Sequence, residues 1–500
     1  MVAAYGRFLG TGFGGSDSLP LIETSRFSTA HEALSLFTKP VMAETSFVST
    51  EVMYRPFVSL TFGIDYGLWG LNAVGYHLAN LGLHVATTLT IWWLLNLLGL
   101  RWWSSLAGAA VFALHPLVLA TVPVIARRDS LVPVFAFTLA LCLALLADRT
   151  TGRSRKVTRT ASVVLAVVAL LSKESAFAAV GLLPVVLVGS AVANGDRPLL
   201  ALRGSWRQAV PYWGLAVTLF VFRLAVLGGL GGVRDGTNLL QINFEKYTQI
   251  LGAYTRYLIW AFAWAAPSPA GVWPRIGAVI FLGLSLSLVW LPRRHAVVLG
   301  LGVIWVIAFG VFCAVLKIST IGFVAYFALL GPALIGTAGF EGGLVTLRSA
   351  AAAYPRRLGS IILLGGLAFA ATMWLATSAL FRSYDQWQVA GDITRRYVES
   401  LQGCVAASPI ASYVSLTGLP DDLDDGQPET QLLAVTLLRD YTVMSWLKLA
   451  FPGRVFGVDV ASTQTLRTTD PSLLTLTCTP TDANRLDLNA TVTNDKTAQQ

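Results

Sequence analysis

Two short stretches carry charge where the surrounding residues are apolar. In "VIARRDSL" (124–131), Arg127, Arg128 and Asp129 separate two long apolar runs, and in "LLSKESAF" (170–177) Lys173 and Glu174 do the same. Arg223 lies late in another apolar run, Arg55 leads from a polar stretch toward the first one, and Lys317 follows a later one. A charge held at membrane depth costs at least about 2.5–3.5 kcal/mol, so such residues face a bundle interior or a watery cavity. Arginine grips phosphate through a bidentate fork and lysine acts as a point charge, so a ring of excess cations suits an anionic head group. The plainer account of each pair is a helix cap at the interface. Asp17, in "GGSDSLPLI", is an isolated carboxylate of the kind that takes a proton from an attacking hydroxyl, or else caps a helix. His115, in "FALHPLVL", reads as a hydrogen-bonded core residue beside a kink at Pro116, or as support for the charged ring. His77 and His84 share a helix face without a third ligand, and no metal site is expected from side chains alone.

The elements that must position these groups are membrane helices. Of the 500 residues, 55% are hydrophobic and only 13% charged, where soluble domains carry about 25%. Runs near 20 residues with almost no charge match the bilayer core, and the short alternating segments of a β-barrel are absent. The class is an all-α polytopic membrane protein. Crossings are expected at 76–98, 102–122, 130–148, 160–172, 175–193, 209–228, 273–291, 296–315, 320–339 and 359–381, with 247–266 lying in the interface as a Tyr- and Trp-rich helix. The net charge of +9 comes from short loops: Arg101; Arg149 to Arg159; Arg197 to Arg207; Arg293 and Arg294; Arg348 to Arg357. These alternate correctly as cytoplasmic loops, which excludes nucleic acid as the reason for the basic balance. The charged pairs above then fall on the extracytoplasmic side, as do residues 14–75 and a C-terminal region over 382–500. The N-terminal "MVAAYGRFLGTGFGG" is too short to span, and a first helix is expected to be missing from the chain.

The C-terminal region mixes strand-like runs ("ASYVSL", "VFGVDV", "LLTLTC") with a helical stretch near 429–449, which reads as a small α/β domain. "DDLDDG" (421–426) reads as a solvated turn, with a calcium site as the minor alternative, and the last dozen residues read as disordered. Cys404 and Cys478 can pair if this side is oxidising, while Cys142 and Cys313 are core residues. Asn489-Ala-Thr is a glycosylation sequon, weak by itself.

Several motifs in order resemble a family. "MYRPFVSLTFGIDYGLWGLNAVGYHLANLGLHV" (53–85), "FALHPLVLATVPVIARRDSL" (112–131), "LLSKESA" (170–176) and "SYDQW" (383–387) are similar to segments of the membrane glycosyltransferases that precede tetratricopeptide repeats in eukaryotes, and of the protein O-mannosyltransferases. The resemblance spans roughly residues 14–390. It implies a GT-C fold of about 10–11 transmembrane helices. It further implies a polyprenyl- or dolichyl-phosphate-linked sugar donor, a hexose such as mannose, and transfer to a protein or glycan acceptor outside the cytoplasm. The family's acidic catalytic motif lies early in the first external loop. Asp17 matches it best, with Ser16 where a second acidic residue is common, and Ala120 stands where members often carry an acid after the His-Pro pair.

Three parts follow: 1–75 as N-terminal segment and first external loop, 76–381 as the transmembrane glycosyltransferase domain, and 382–500 as the external domain. Asp17 is expected to be the base. Arg127, Arg128, Lys173 and Arg55 are expected to hold the donor phosphate, with His115, Asp129, Glu174 and Arg223 in support. One displacement with a base implies inversion. A divalent metal is open, since a donor phosphate can complete a site that one Asp cannot. The rival reading is a transporter or lipid-linked-sugar flippase, which should show paired discontinuous helices and midplane sites.

Overall fold

The computed structural model describes residues 2–233, most of 247–258, 289–315, 325–351, 387–423, 435–466 and most of 474–492, with isolated positions near 280. The crossings expected at 273–291 and 359–381, Lys317, most of "SYDQW" and of the 247–266 segment, and the chain end lie outside the described residues. Within them, six helices are long and apolar enough to cross a membrane, and the chain is a multi-pass helical membrane protein with a small C-terminal sheet region.

Short helical turns over 2–10 tuck against the bundle, where the Tyr5 hydroxyl donates to the carbonyl of Ala113 at 2.5 Å. The loop that follows carries α1 (Ser18–Thr24) and α2 (Pro56–Trp69), the latter opened by Pro56 at its first turn. A proline fits there because its missing N–H would have no partner anyway. α3 (Ala73–Leu97) starts where the Asn72 side chain accepts from the Val74 N–H at 3.1 Å.

α4 (Trp102–Leu114) corrects the expected 102–122 crossing. It stops at His115 because Pro116 cannot supply the next helical hydrogen bond and disfavours helical geometry before it. The chain continues as 3-10 turns over Pro116–Ala120 and Ile125–Arg127 before α5 (Arg128–Ala147). α6 (Gly152–Leu170), α7 (Ser175–Ala193) and α8 (Pro198–Leu227) follow. The expected 160–172 and 209–228 crossings are thus the ends of longer helices whose first turns are polar. α9 (Arg293–Val315) and α10 (Leu330–Ala351) pack closely: a Cβ on Gly302 would lie 2.8 Å from the Gly331 carbonyl oxygen. Small residues at such crossings let backbones approach without a hydrophobic driving force.

The helix ends sort into two sets. At one end Arg293 donates to the Asp196 carbonyl, Arg294 to that of Gly99 and Arg149 to that of Leu97. Buried Glu341 accepts there from the Arg101 N–H and the Ser104 hydroxyl, and lies 3.3 Å from His295. This end gathers the basic loops, as the alternation required. The opposite end holds the first loop, the 115–127 turns, the 171–174 junction, and strand β1 (Glu51–Val52), paired antiparallel with β2 (Gly232–Val233).

The C-terminal region begins with a helix over 387–407, whose Gly391 meets Gly12: a Cβ there would sit 2.6 Å from the Gly12 nitrogen. β3 (Tyr413–Thr417) is central to a four-stranded sheet, parallel to both β6 (Gly457–Val460) and β9 (Arg485–Val492), with β8 (Leu474–Asp482) antiparallel to β9. β4 (Leu419–Leu423) lies between β5 (Val435–Thr436) and β7 (Thr463–Leu466). Two residues of the expected solvated turn, Asp421 and Asp422, are therefore strand residues, held by Arg439 at 3.6 and 3.9 Å. The helical stretch expected near 429–449 forms as α11 (Asp440–Ala450). Cys404 and Cys478 form a disulfide, and Cys142 and Cys313 are buried thiols.

Candidate active site

The site is assembled where the first loop, the start of α5, the α6–α7 junction and α11 meet. Gly15 has a φ of +90°, a left-handed turn that glycine adopts without strain. It brings Ser16 and Asp17 beside the Val124–Arg127 segment. Asp17 occupies the N-cap position of α1 yet makes no capping hydrogen bond with its side chain. Its carboxylate accepts instead from the Ser16 hydroxyl at 3.0 Å and from the Tyr441 hydroxyl of α11 at 3.2 Å. The other oxygen lies 3.8 Å from the Arg127 guanidinium, with both side chains partly exposed. Burial pushes the Tyr441 phenol up, and the neighbouring Asp17 adds to the shift, so Tyr441 stays a donor. Thr442 donates to the Ser16 carbonyl at 2.7 Å and Ser46 to Asp440 at 2.5 Å, which fastens α11 over the loop.

Behind this pair runs a chain of alternating charges. Arg223 donates to Glu174 at 2.7 Å, Arg55 donates to Glu174 at 2.9 Å and to Asp129 at 2.6 Å, and Lys173 donates to Asp129 at 3.0 Å and to Ser130 at 2.7 Å. Burial opposes charge on Glu174, yet the guanidiniums of Arg55 and Arg223 hold its carboxyl well below the usual carboxylate range. Burial pulls the Lys173 ammonium down to about 8 against the attraction of Asp129. Glu51, on β1, faces the same region: burial and nearby Asp17 push its carboxyl up against the pull of Arg55 and Arg127. No motif marked Glu51, Tyr441 or Asp65 in the sequence; each is brought in by tertiary pairing.

Two expectations need correction. The ring was expected to carry excess positive charge, but among the described residues Arg55, Arg127, Arg128, Lys173 and Arg223 face Asp17, Glu51, Asp65, Asp129 and Glu174. Arg128 was expected to hold the donor phosphate. It is only 1% exposed, and its guanidinium is committed to Asp65 at 2.5 Å, Asn80 at 2.9 Å and the Tyr76 carbonyl at 3.2 Å, over the Phe62 ring. A guanidinium so enclosed is a structural post joining α2, α3 and α5.

His115 caps the 3-10 turn after α4: its Nδ1 accepts from the Leu117 N–H at 3.2 Å and its Nε2 donates to the Leu258 carbonyl at 3.0 Å. His84 bonds Tyr326 and the Ala113 carbonyl, and His77 bonds Thr11. Among the described residues, no three side chains of metal-ligating type come together.

No family model matches the chain. It is 36% identical over 91 residues to the mouse (Mus musculus) protein O-mannosyl-transferase TMTC2, a match covering 18% of this chain and 11% of that protein. The structure is similar to the crystal structure of the Archaeoglobus fulgidus oligosaccharyltransferase, with a TM-score of 0.45, 12% identity, and coverage of 89% of this chain and 59% of that one. That structural likeness is too coarse to assign function. The sequence match agrees with the resemblance read from the motifs: the chain is similar to membrane glycosyltransferases over a stretch that is a small part of its relative's length.

Proposed function

We propose that this chain is a GT-C glycosyltransferase that moves a sugar from a polyprenyl- or dolichyl-phosphate-linked donor to an acceptor hydroxyl on the extracytoplasmic face. The observation that carries the reading is the Asp17–Arg127 pair, a carboxylate not spent on its own helix and a guanidinium 3.8 Å away, both partly exposed at one end of a membrane bundle. Asp17 orients the acceptor hydroxyl and takes its proton as the oxygen attacks the sugar carbon. Arg127 meets the phosphate and stabilises the charge that grows on it as the bond to the sugar breaks. Arg55, Lys173 and Arg223 add positive field from behind, with Asp129 and Glu174 keeping them in place. Tyr441 fixes the carboxylate by donating to it. A single displacement inverts the anomeric centre. The Cys404–Cys478 bridge supports an extracytoplasmic site, because disulfides persist in oxidising compartments.

The test is mass spectrometry of surface glycans and glycoproteins after deletion of the gene, with complementation by wild type or Asp17→Asn. Loss of a hexose-bearing species, restored by wild type and not by Asp17→Asn, is expected. An unchanged glycan profile would overturn the reading.

A further inference from the structure

We propose that a cavity between the bundle and the C-terminal region binds a carbohydrate, the acceptor side of the reaction; this rests on the function proposed above. The cavity holds about 340 Å³ and is walled by residues 9–13, the 71–74 turn that opens α3, the helix over 387–407 and α11. That size falls within the range of small-molecule sites, about 300–1,000 Å³. It shares two elements with the Asp17 site. Leu19, two residues along α1 from Asp17, lines it, and so does Trp446 on α11, the helix that brings Tyr441 to Asp17.

Two lining residues carry buried polar atoms without partners. Thr394 is 1% exposed and its hydroxyl makes no hydrogen bond; the indole N–H of Trp446 is buried and likewise unpaired. Buried polar groups are nearly always hydrogen-bonded, so two orphans on one cavity point to a ligand that supplies an acceptor and a donor together. A sugar hydroxyl is both. Asp392 and Glu399 add carboxylates that accept from hydroxyls, and Arg395, paired with Asp392 at 2.8 Å, adds donors. An indole beside carboxylates and a guanidinium joins an apolar face to directional polar groups, which is what a pyranose ring requires. The lining contains no β-strand, so an extended peptide would find no edge to pair with.

The test uses the full-length protein in nanodiscs, probed on an array of immobilised oligosaccharides, with Thr394→Val and Trp446→Phe as variants. Thr394→Val keeps the side-chain shape, so it stays informative if Trp446→Phe fails to fold, which size-exclusion chromatography would show. Wild type is expected to retain at least one class of oligosaccharide, and each folded variant to bind it at least tenfold more weakly. No retention by wild type, equal retention by Thr394→Val, or capture of an unglycosylated Ser/Thr-rich peptide in place of carbohydrate would overturn the proposal. Asp17→Asn separates the two readings. Sugar transfer that depends on Asp17 without oligosaccharide binding discards the cavity and keeps the enzyme. Binding that depends on Thr394, with no Asp17-dependent transfer, discards the enzyme and keeps the cavity.

Discussion

Arg127 and Arg128 are adjacent in sequence and opposite in role. Arg127 is partly exposed beside Asp17, whereas Arg128 is enclosed by Asp65, Asn80 and the Phe62 ring. Breaking a buried ion pair on one side costs about 3–5 kcal/mol, because the partner's charge is left uncompensated. Arg128→Leu is therefore expected to lower the thermal unfolding temperature sharply, and the double substitution Arg128→Leu/Asp65→Leu to recover much of the loss. Equal destabilisation by both would show that Asp65 is not the reason Arg128 is needed. Glu51 gives a pH signature. A carboxyl whose folded value lies above its unfolded value of 4.5 costs stability as pH rises through the window between them, since the folded state there binds more protons. Glu51→Gln should then raise the unfolding temperature at neutral pH, with the gain fading as pH falls through about 4.5. A gain independent of pH would assign it to packing instead. At this scale the sequence showed which charges were expensive, because each sits in an apolar run. It could not show who pairs with whom: Tyr441 reaches Asp17 across 424 residues, a contact that no local pattern encodes.

Among the elements, α11 has the most direct hold on the chemistry. Its Tyr441 donates to Asp17 and its Thr442 to the Ser16 carbonyl, so the C-terminal region fixes the first loop. A hydrogen bond to a charged group is worth about 1.5–3 kcal/mol. Tyr441→Phe is expected to slow turnover by roughly 10- to 100-fold while the protein elutes and unfolds as wild type does, measured by steady-state transfer and thermal scans. Unchanged turnover would remove α11 from the site. Helix positions were legible from apolar length, and the strands β3, β6 and β8 from their runs of β-branched and apolar residues. The break at His115–Pro116 was under-read. Both sides of it are apolar, and only the proline signals that a helix of 13 residues ends there. α2 was missed as a helix because it lies within a loop that reads as polar to amphipathic.

The whole molecule divides into a basic end and an end that holds the paired charges, and this division was readable from the alternation of loops alone. The disulfide belongs to the same scale, since it ties residues 74 apart in the C-terminal region. Removing such a link costs about 2–4 kcal/mol. Cys404→Ser/Cys478→Ser should accordingly lose hydrogen-exchange protection over β3, β8 and β9 while the membrane helices keep theirs. Equal loss in both would mean that the two regions unfold as one unit. The most direct measurement of the central pairing is transfer of labelled mannose from dolichyl phosphate mannose by the purified protein in nanodiscs, comparing wild type, Asp17→Asn and Arg127→Gln. Wild type is expected to turn over, Asp17→Asn to fall by about 10²–10⁴ in kcat, and Arg127→Gln by about 10²–10³. Turnover by wild type that survives both substitutions would contradict the assignment of chemistry to this pair.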